Sequence, residues 1–129
     1  MNKTSSFSPI LGCQPVENSQ AEPYHHRWLV IDTEGQLLTR HTTPKLEQVE
    51  VAIKFGFLVM RASGMVRLDL PLDVIEDDDS VRQTINTQGQ TFDVVDEGDL
   101  PAAWLGNLCG QNCRLVKVHP DSQIKAFEP

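Results

Sequence analysis

A four-residue apolar run that ends in turn-forming residues constrains the fold of this chain most strongly. Trp28-Leu29-Val30-Ile31 contains no charged side chain and is flanked by charge, as is typical of a strand buried on both faces. Asp32-Thr33-Glu34-Gly35 follows, and Gly35 can take positive φ at the end of a type I turn with a bulge. The sequence therefore predicts a β-hairpin that pairs Arg27–Asp32 with Gln36–Thr42.

Further strands are predicted from alternation of apolar and polar residues along the chain. Val49, Val51 and Ile53 alternate with polar residues and predict a strand over Gln48–Lys54. The other predicted strands are Phe57–Met60, Met65–Leu70, Val81–Thr87, Thr91–Val95 and Arg114–Val118. Residues 7–16 contain two prolines and a glycine, which favours an edge strand or an irregular extended arm.

One helix is predicted after these strands. Asp99 is placed as its N-cap and Pro101 in its first turn, with Gly110 as the residue that ends it. Leu100, Trp104 and Leu108 recur every four residues and predict the buried stripe. The expected fold is mainly β: a twisted, barrel-like antiparallel or mixed sheet of about seven short strands, closed on one side by one C-terminal helix.

Length and composition set limits on domain organisation and partners. The 129 residues are 40% hydrophobic, which suits one domain over residues 7–119, a loose N-terminus at 1–6, and an extension or linker from 120 to 129. A formal net charge of −7 argues against a nucleic-acid partner. The apolar runs are far shorter than the ~20 residues of a membrane span, and the first residues lack the apolar core of a secretory signal. We expect a soluble, cytoplasmic domain.

The cysteines and histidines are the first candidates for chemistry. The chain contains three cysteines, Cys13, Cys109 and Cys113, and this odd number without regular spacing does not indicate a disulfide framework. A structural zinc site requires about four ligands, and the sequence offers no second close pair beside Cys109 and Cys113. Gly110 makes a shared helical face for Cys109 and Cys113 unexpected. His25, His26 and His41 form a metal site or are ordinary surface histidines; adjacent strand residues point to opposite faces, which opposes the metal site.

Two charged features have alternative interpretations. Arg27 and Arg40 form an anion-binding rim with the histidines, or they are ordinary charge at a strand edge. The acidic run Glu76-Asp77-Asp78-Asp79 lacks the spacing of a calcium loop, so a solvated connection is favoured. No nucleophile elbow or other local catalytic signature is present in the sequence.

An ordered series of short motifs resembles the N-terminal β-barrel domain that precedes the MOSC domain (molybdenum cofactor sulfurase C-terminal). The motifs are Pro9-Ile10-Leu11-Gly12-Cys13, His25-His26-Arg27-Trp28, Ile31-Asp32-Thr33-Glu34-Gly35, Thr39-Arg40-His41-Thr42-Thr43-Pro44-Lys45-Leu46, Asp96-Glu97-Gly98-Asp99, Ala103-Trp104 and Arg114-Leu115-Val116. No single motif is specific, but their order covers most of residues 7–118. The resemblance implies a β-barrel domain that accompanies a cofactor-bearing domain.

The resemblance also implies which positions contact the molybdenum cofactor, and this sequence departs from the family there. Leu11 and Gly12 stand where the family has Lys-Ser, His25 and His26 replace Asp-Arg, and His41 takes the place of an arginine. The implied cofactor positions are Leu11, Gly12, His26, Arg27, Arg40 and His41. Leucine and glycine side chains cannot hydrogen-bond to a phosphate oxygen, and a neutral histidine donates only once.

From the resemblance and these departures we predict that the chain is a non-catalytic scaffold module of a MOSC-type molybdenum-cofactor protein. Its partner is a cofactor-bearing MOSC domain in cis or another protein in trans, and we expect no catalytic residues, no metal ligands and no cofactor held by this chain alone. Intact relatives are implied to reduce N-hydroxylated compounds or to transfer sulfur. The alternative is a stand-alone domain that binds a protein partner or a small anion.

Overall fold

Two antiparallel sheets and one helix form the domain in a computed structural model that describes residues 7–16, 24–72, 82–87 and 89–118. The elements are β1 (Trp28–Asp32), a 3-10 helix (Pro44–Gln48), β2 (Glu50–Lys54), β3 (Phe57–Arg61), β4 (Leu68–Pro71), β5 (Arg82–Thr87), β6 (Gln90–Asp96), α1 (Asp99–Cys109) and β7 (Cys113–Val118). One sheet has the order β1-β7-β6-β5 and the other β2-β3-β4. These seven strands and one helix among the described residues confirm the mainly β, barrel-like fold.

The predicted hairpin after β1 is present but short. The N–H of Gly35, at φ 77°, donates to the carbonyl of Asp32 at 3.1 Å, which closes the predicted turn. Pairing then continues through the bond from the Asp32 N–H to the Gln36 carbonyl, the Ile31–Leu37 bridge, and the bond from the Leu38 N–H to the Val30 carbonyl. The full partner of β1 is β7, in a register that sets Trp28 opposite Lys117.

Both faces of the four-stranded sheet are covered by apolar side chains. Trp28 and Val30 belong to the first core, which lies between the two sheets and α1. The alternate residues Leu29 and Ile31 belong to a second core on the opposite face. All four are buried, as the apolar run predicted. The second core is completed by Leu11, Leu37, Ile85, Val94, Val116 and Val118.

The hairpin between β2 and β3 turns on two residues that both have positive φ. Phe55 lies at φ 52° and Gly56 at φ 80°, as a two-residue type I′ turn requires. Such a turn normally carries asparagine or aspartate at its first position, and the Phe55 side chain here is 95% exposed. The predicted strand around Val51 is confirmed as β2, with Ile53 buried and Val51 half-buried.

The helix forms where predicted, but two of its assigned roles are wrong. Its N-cap is Gly98, not Asp99, and the Gly98 N–H is satisfied at 2.7 Å by Oδ1 of Asp96. Leu100 is 67% exposed, and the buried helix residues are instead Pro101, Trp104, Leu105 and Leu108. Residues spaced by four advance about 40° around a helix at each step, so a buried stripe centred on Trp104 and Leu105 leaves Leu100 outside.

Gly110 ends α1 as predicted, with φ 73° and its N–H donating to the Gly106 carbonyl at 2.8 Å. Within the described ranges, no helix has the length and hydropathy needed to cross a membrane. The acidic run 76–79, the N-terminal residues 1–6 and the extension 120–129 lie outside the described residues.

Candidate functional site

Three segments carry the implied cofactor positions, and one of them, the arm at residues 8–13, contacts the other two; the arm turns where the Cys13 N–H bonds to the Ile10 carbonyl at 3.1 Å. The Pro9 carbonyl accepts from the Trp28 N–H at 2.9 Å, and the Ser8 carbonyl accepts from the His26 N–H at 2.8 Å. On its other side the arm touches the next segment, because a Cβ on Gly12 would lie 3.5 Å from both the Thr39 Cα and the Arg40 backbone nitrogen. The fold therefore brings the arm against both of the other segments.

The two arm positions offer no group that could bind an anion through its side chain. Leu11 is fully buried and forms part of the second core. Gly12 is buried at φ 96°, and an added Cβ would also lie 3.3 Å from Cδ1 of Leu46. Both residues serve the packing of the arm, since an apolar side chain and a close backbone approach are what their surroundings admit.

Arg27 and Arg40 have partners within the chain. Nη1 of Arg27 donates to the Val118 carbonyl at 3.2 Å, and the Val118 N–H donates back to the Arg27 carbonyl at 2.7 Å. Nε of Arg40 lies 3.8 Å from Oε1 of Glu47, with both side chains substantially exposed. Arg27 therefore holds the end of β7, and a surface carboxylate partly offsets the charge of Arg40.

His25 and His26 stack on each other, contrary to the expectation that they point to opposite faces. They precede β1 rather than lie in it, and His26 adopts φ 55°, so the alternation of a strand does not apply. Their ring centroids are 3.9 Å apart, and Nδ1 of His25 accepts from the Ser8 N–H at 2.9 Å. Burial, with a smaller effect of His25, lowers the pKa of His26 to about 4, so His26 is neutral near pH 7.

His41 is exposed and belongs to a turn around the buried Thr39. Oγ1 of Thr39 accepts from the His41 N–H at 3.2 Å, and the Thr43 N–H donates to the Thr39 carbonyl at 2.7 Å. In the described part of the chain, no group of three or more His, Cys, Asp or Glu side chains is arranged to hold a metal ion. The sequence interpretation of the histidines as a metal site therefore gains no geometric support.

Two charged residues that were not among the site candidates from the sequence, Glu97 and Lys117, lie next to Trp28. Its Nε1 donates to Oε2 of Glu97 at 2.6 Å, and Tyr24 stacks on its ring with centroids 5.9 Å apart. Lys117 is only 5% exposed, and its Nζ donates to the Leu72 carbonyl at 2.7 Å and lies 5.5 Å from the centre of the Trp28 ring. The alternation of β7 contained the signal, because Lys117 follows Cys113 and Leu115 on the face of the first core.

A cavity of about 1110 Å³ lies elsewhere, between α1, the turn after β1, and β5. Its lining contains none of the six implied cofactor positions. Four carboxylates line it: Asp32, Glu34, Asp96 and Asp99. Arg114 donates to both Asp96 and Asp99, and these hydrogen bonds raise its pKa above the ordinary arginine value. The charge of this cavity is thus predominantly negative, which disfavours a phosphate-bearing ligand.

The comparisons with known proteins agree with the fold and the order of motifs. Residues 6–112 match the MOSC N-terminal beta barrel domain. Over 88% of this chain the sequence is 29% identical to the molybdenum cofactor sulfurase of Danio rerio, and over 92% it is 25% identical to that of Homo sapiens. The chain spans only 15% and 14% of the length of these two relatives.

A solved structure resembles this chain over nearly its whole length. It is the solution structure of a protein from Bordetella bronchiseptica, which is 49% identical to this chain and superposes with a TM-score of 0.83. The match covers 96% of each of the two chains. Because residues 6–112 match the family over most of the chain, this chain belongs to the family of MOSC N-terminal β-barrel domains.

Proposed function

We propose that this chain is the scaffold domain of a MOSC-type molybdenum-cofactor protein and packs against a cofactor-bearing MOSC domain without itself holding the cofactor. The proposal combines family membership with the curated relatives, which are named molybdenum cofactor sulfurases and are far longer than this chain. Cofactor chemistry in such a protein would reside in the other domain, and this chain would supply packing surface.

The observation that carries the proposal is the state of the family's anion-binding positions. A phosphate site needs several hydrogen-bond donors or cations directed at one point. Here Leu11 is core, Gly12 is packed beneath Leu46, and the Arg27 side chain donates to the Val118 carbonyl. The low pKa of His26 removes a further positive charge. The residues present do not fit an anionic pterin phosphate.

The first experiment measures the intact mass of the native gene product, isolated from its own cells with an antibody against this domain. We expect one of two results. Either the product is a polypeptide well above 14.4 kDa that includes a MOSC domain, or it is a 14.4 kDa polypeptide isolated together with a separate MOSC-domain protein. A 14.4 kDa product without such a companion would contradict the scaffold proposal and favour the alternative, a stand-alone domain that binds another partner.

The second experiment asks whether the surviving basic positions contact the cofactor. Arg40→Ala and His41→Ala are introduced into the native protein, with Arg67→Ala as a control at an exposed arginine that pairs with Asp69 at 2.9 Å. We expect the molybdenum content per protein, measured by mass spectrometry of the metal, to be the same in all three variants and the wild type. Molybdenum loss confined to Arg40→Ala or His41→Ala would show that the domain does hold the cofactor.

A further inference from the structure

Three cysteines from different elements belong to the first core or pack against it. Cys13 ends the turn in the arm at residues 8–13, Cys109 is the last residue of α1, and Cys113 is the first residue of β7. Cys13 and Cys113 are each 4% exposed and belong to the same cluster of buried residues, whereas the half-buried Cys109 packs against that cluster. All three are thiols in this structure.

Cys109 and Cys113 are brought together because the chain reverses sharply between them. Gly110 takes the left-handed conformation with its N–H bonded to the Gly106 carbonyl, and the next residues return the chain into β7. This places the two side chains close enough for the Cys113 thiol to act as a hydrogen-bond donor towards a Cys109 thiolate. The pair is thus preorganised, with one sulfur partly accessible to solvent and the other behind it.

The surroundings make the two sulfurs chemically different. The hydrogen bond from Cys113 lowers the pKa of Cys109, burial opposes this effect, and the positive charge of Lys45 lowers it further. The same hydrogen bond, together with burial, raises the pKa of Cys113. Burial likewise raises the pKa of Cys13. Cys109 is therefore the nucleophilic member of the group by both exposure and charge.

We propose that Cys109 and Cys113 form a dithiol–disulfide pair that is oxidised by hydroperoxides. The Cys109 thiolate attacks one peroxide oxygen, the O–O bond breaks, and hydroxide leaves while Cys109 becomes a sulfenic acid. The sulfur of Cys113 then attacks the Cys109 sulfur, its proton leaves with the departing oxygen as water, and the S–S bond forms. In total, hydrogen peroxide is reduced to two waters and the dithiol is oxidised by two electrons.

Oxidation of this pair would affect the conformation of the segment that carries Arg40 and His41. Gln111, in the turn between the two cysteines, donates from Nε2 to Oγ1 of Thr43 at 3.4 Å. The Thr43 N–H in turn bonds to the Thr39 carbonyl. A disulfide fixes the turn that carries Gln111 and so biases the Thr39–Thr43 turn. The disulfide chemistry itself does not depend on the proposed scaffold function.

The test exposes the full chain to stoichiometric hydrogen peroxide, alkylates remaining thiols in denaturant, and analyses tryptic peptides by mass spectrometry. Cys109 and Cys113 share the peptide Gln83–Arg114, whereas Cys13 lies in Thr4–Arg27. We expect Gln83–Arg114 to be two hydrogen atoms lighter and unalkylated, and Thr4–Arg27 to be alkylated. Alkylation of both thiols in Gln83–Arg114, or a disulfide that includes Cys13, would overturn the proposal.

Variants separate the roles of the two sulfurs. In Cys113→Ser, the sulfenic acid should persist at Cys109 and be trapped by dimedone, and Cys13→Ser should form the disulfide as the wild type does. In the untreated wild type, iodoacetamide should modify Cys109 at least about tenfold faster than Cys13 or Cys113. Equal rates in the native protein would contradict the assignment of Cys109 as nucleophile, and this measurement needs no variant to fold.

Discussion

Gly12 packs closely on Leu46, because a Cβ at position 12 would lie 3.3 Å from Cδ1 of Leu46. Gly12→Ser would add this tight contact to a backbone φ of 96°, which L residues rarely adopt. We expect it to lower the free energy of unfolding by about 2–3 kcal/mol, measured by urea denaturation. Gly64→Ser is the matched control, because Gly64 has φ 79° but no atom within 4 Å of an added Cβ. Equal losses in the two variants would show that the close approach contributes nothing.

The β2–β3 hairpin contains backbone strain at Phe55 that a substitution can relieve. Phe55→Asn creates an Asn-Gly type I′ turn at φ 52°, where asparagine is favoured over phenylalanine. We expect it to raise the free energy of unfolding by about 1 kcal/mol in urea denaturation. Phe55→Ala removes the same exposed ring without relieving the positive φ, so it should change stability little. If alanine stabilised as much as asparagine, the exposed ring and not the backbone would be responsible.

The low pKa of His26 predicts a dependence of stability on pH. Below pH 6.5 the unfolded chain takes up a proton at His26 that the folded chain, with a pKa of about 4, does not. The free energy of unfolding therefore falls as the pH decreases from 6.5 towards 4, by about 1–2 kcal/mol after allowance for solvent screening at this half-buried site.

The measurement compares urea denaturation of wild type and His26→Asn between pH 4 and pH 7. Asparagine tolerates the left-handed backbone and does not titrate, so the decrease should be smaller in this variant by the stated amount. Parallel curves for wild type and His26→Asn would show that His26 does not contribute to this pH dependence.

The network around Arg114 predicts a moderate, salt-sensitive contribution to stability. Arg114 bonds to both oxygens of Asp96 and to Asp99 at the start of α1, with 41% of its side chain exposed. Arg114→Gln should lower the free energy of unfolding by about 1 kcal/mol, and by less in high salt. Arg67→Gln, which loses one exposed pair with Asp69, should cost under about 0.5 kcal/mol. If the loss of stability in Arg114→Gln were the same at low and high salt, its origin would not be electrostatic.

The strands were predictable from sequence because their signals are local. The Trp28–Ile31 run, the Gly35 turn and the alternation through Ile53 each follow from neighbouring residues, and each is confirmed. Assignments that depended on tertiary packing fared worse. Leu100 satisfied the helical spacing, but which stripe of α1 is buried depends on the sheets that it covers.

The candidate site was less predictable because it depends on contacts between distant segments. The family resemblance identified Arg27 as a site candidate, but it did not predict that the Arg27 guanidinium donates to the Val118 carbonyl. The stacking of His25 on His26 requires a left-handed residue just before β1, which no pattern in the sequence indicates. The proximity of Cys109 to Cys113 similarly depends on how the turn at Gly110 places β7 beside the helix.

The position of β7 has a consequence for how this domain is made. β7, the last in chain order of the strands that the structure describes, lies inside the first sheet between β1 and β6, so this sheet cannot close until β7 has been synthesised. Until Cys113–Val118 emerges, the apolar run of β1 lacks its principal partner and is open to wrong pairing with other chains. The family match ends at residue 112, one residue before this strand. An expression clone cut at that boundary would lose an interior strand and should yield an aggregating polypeptide.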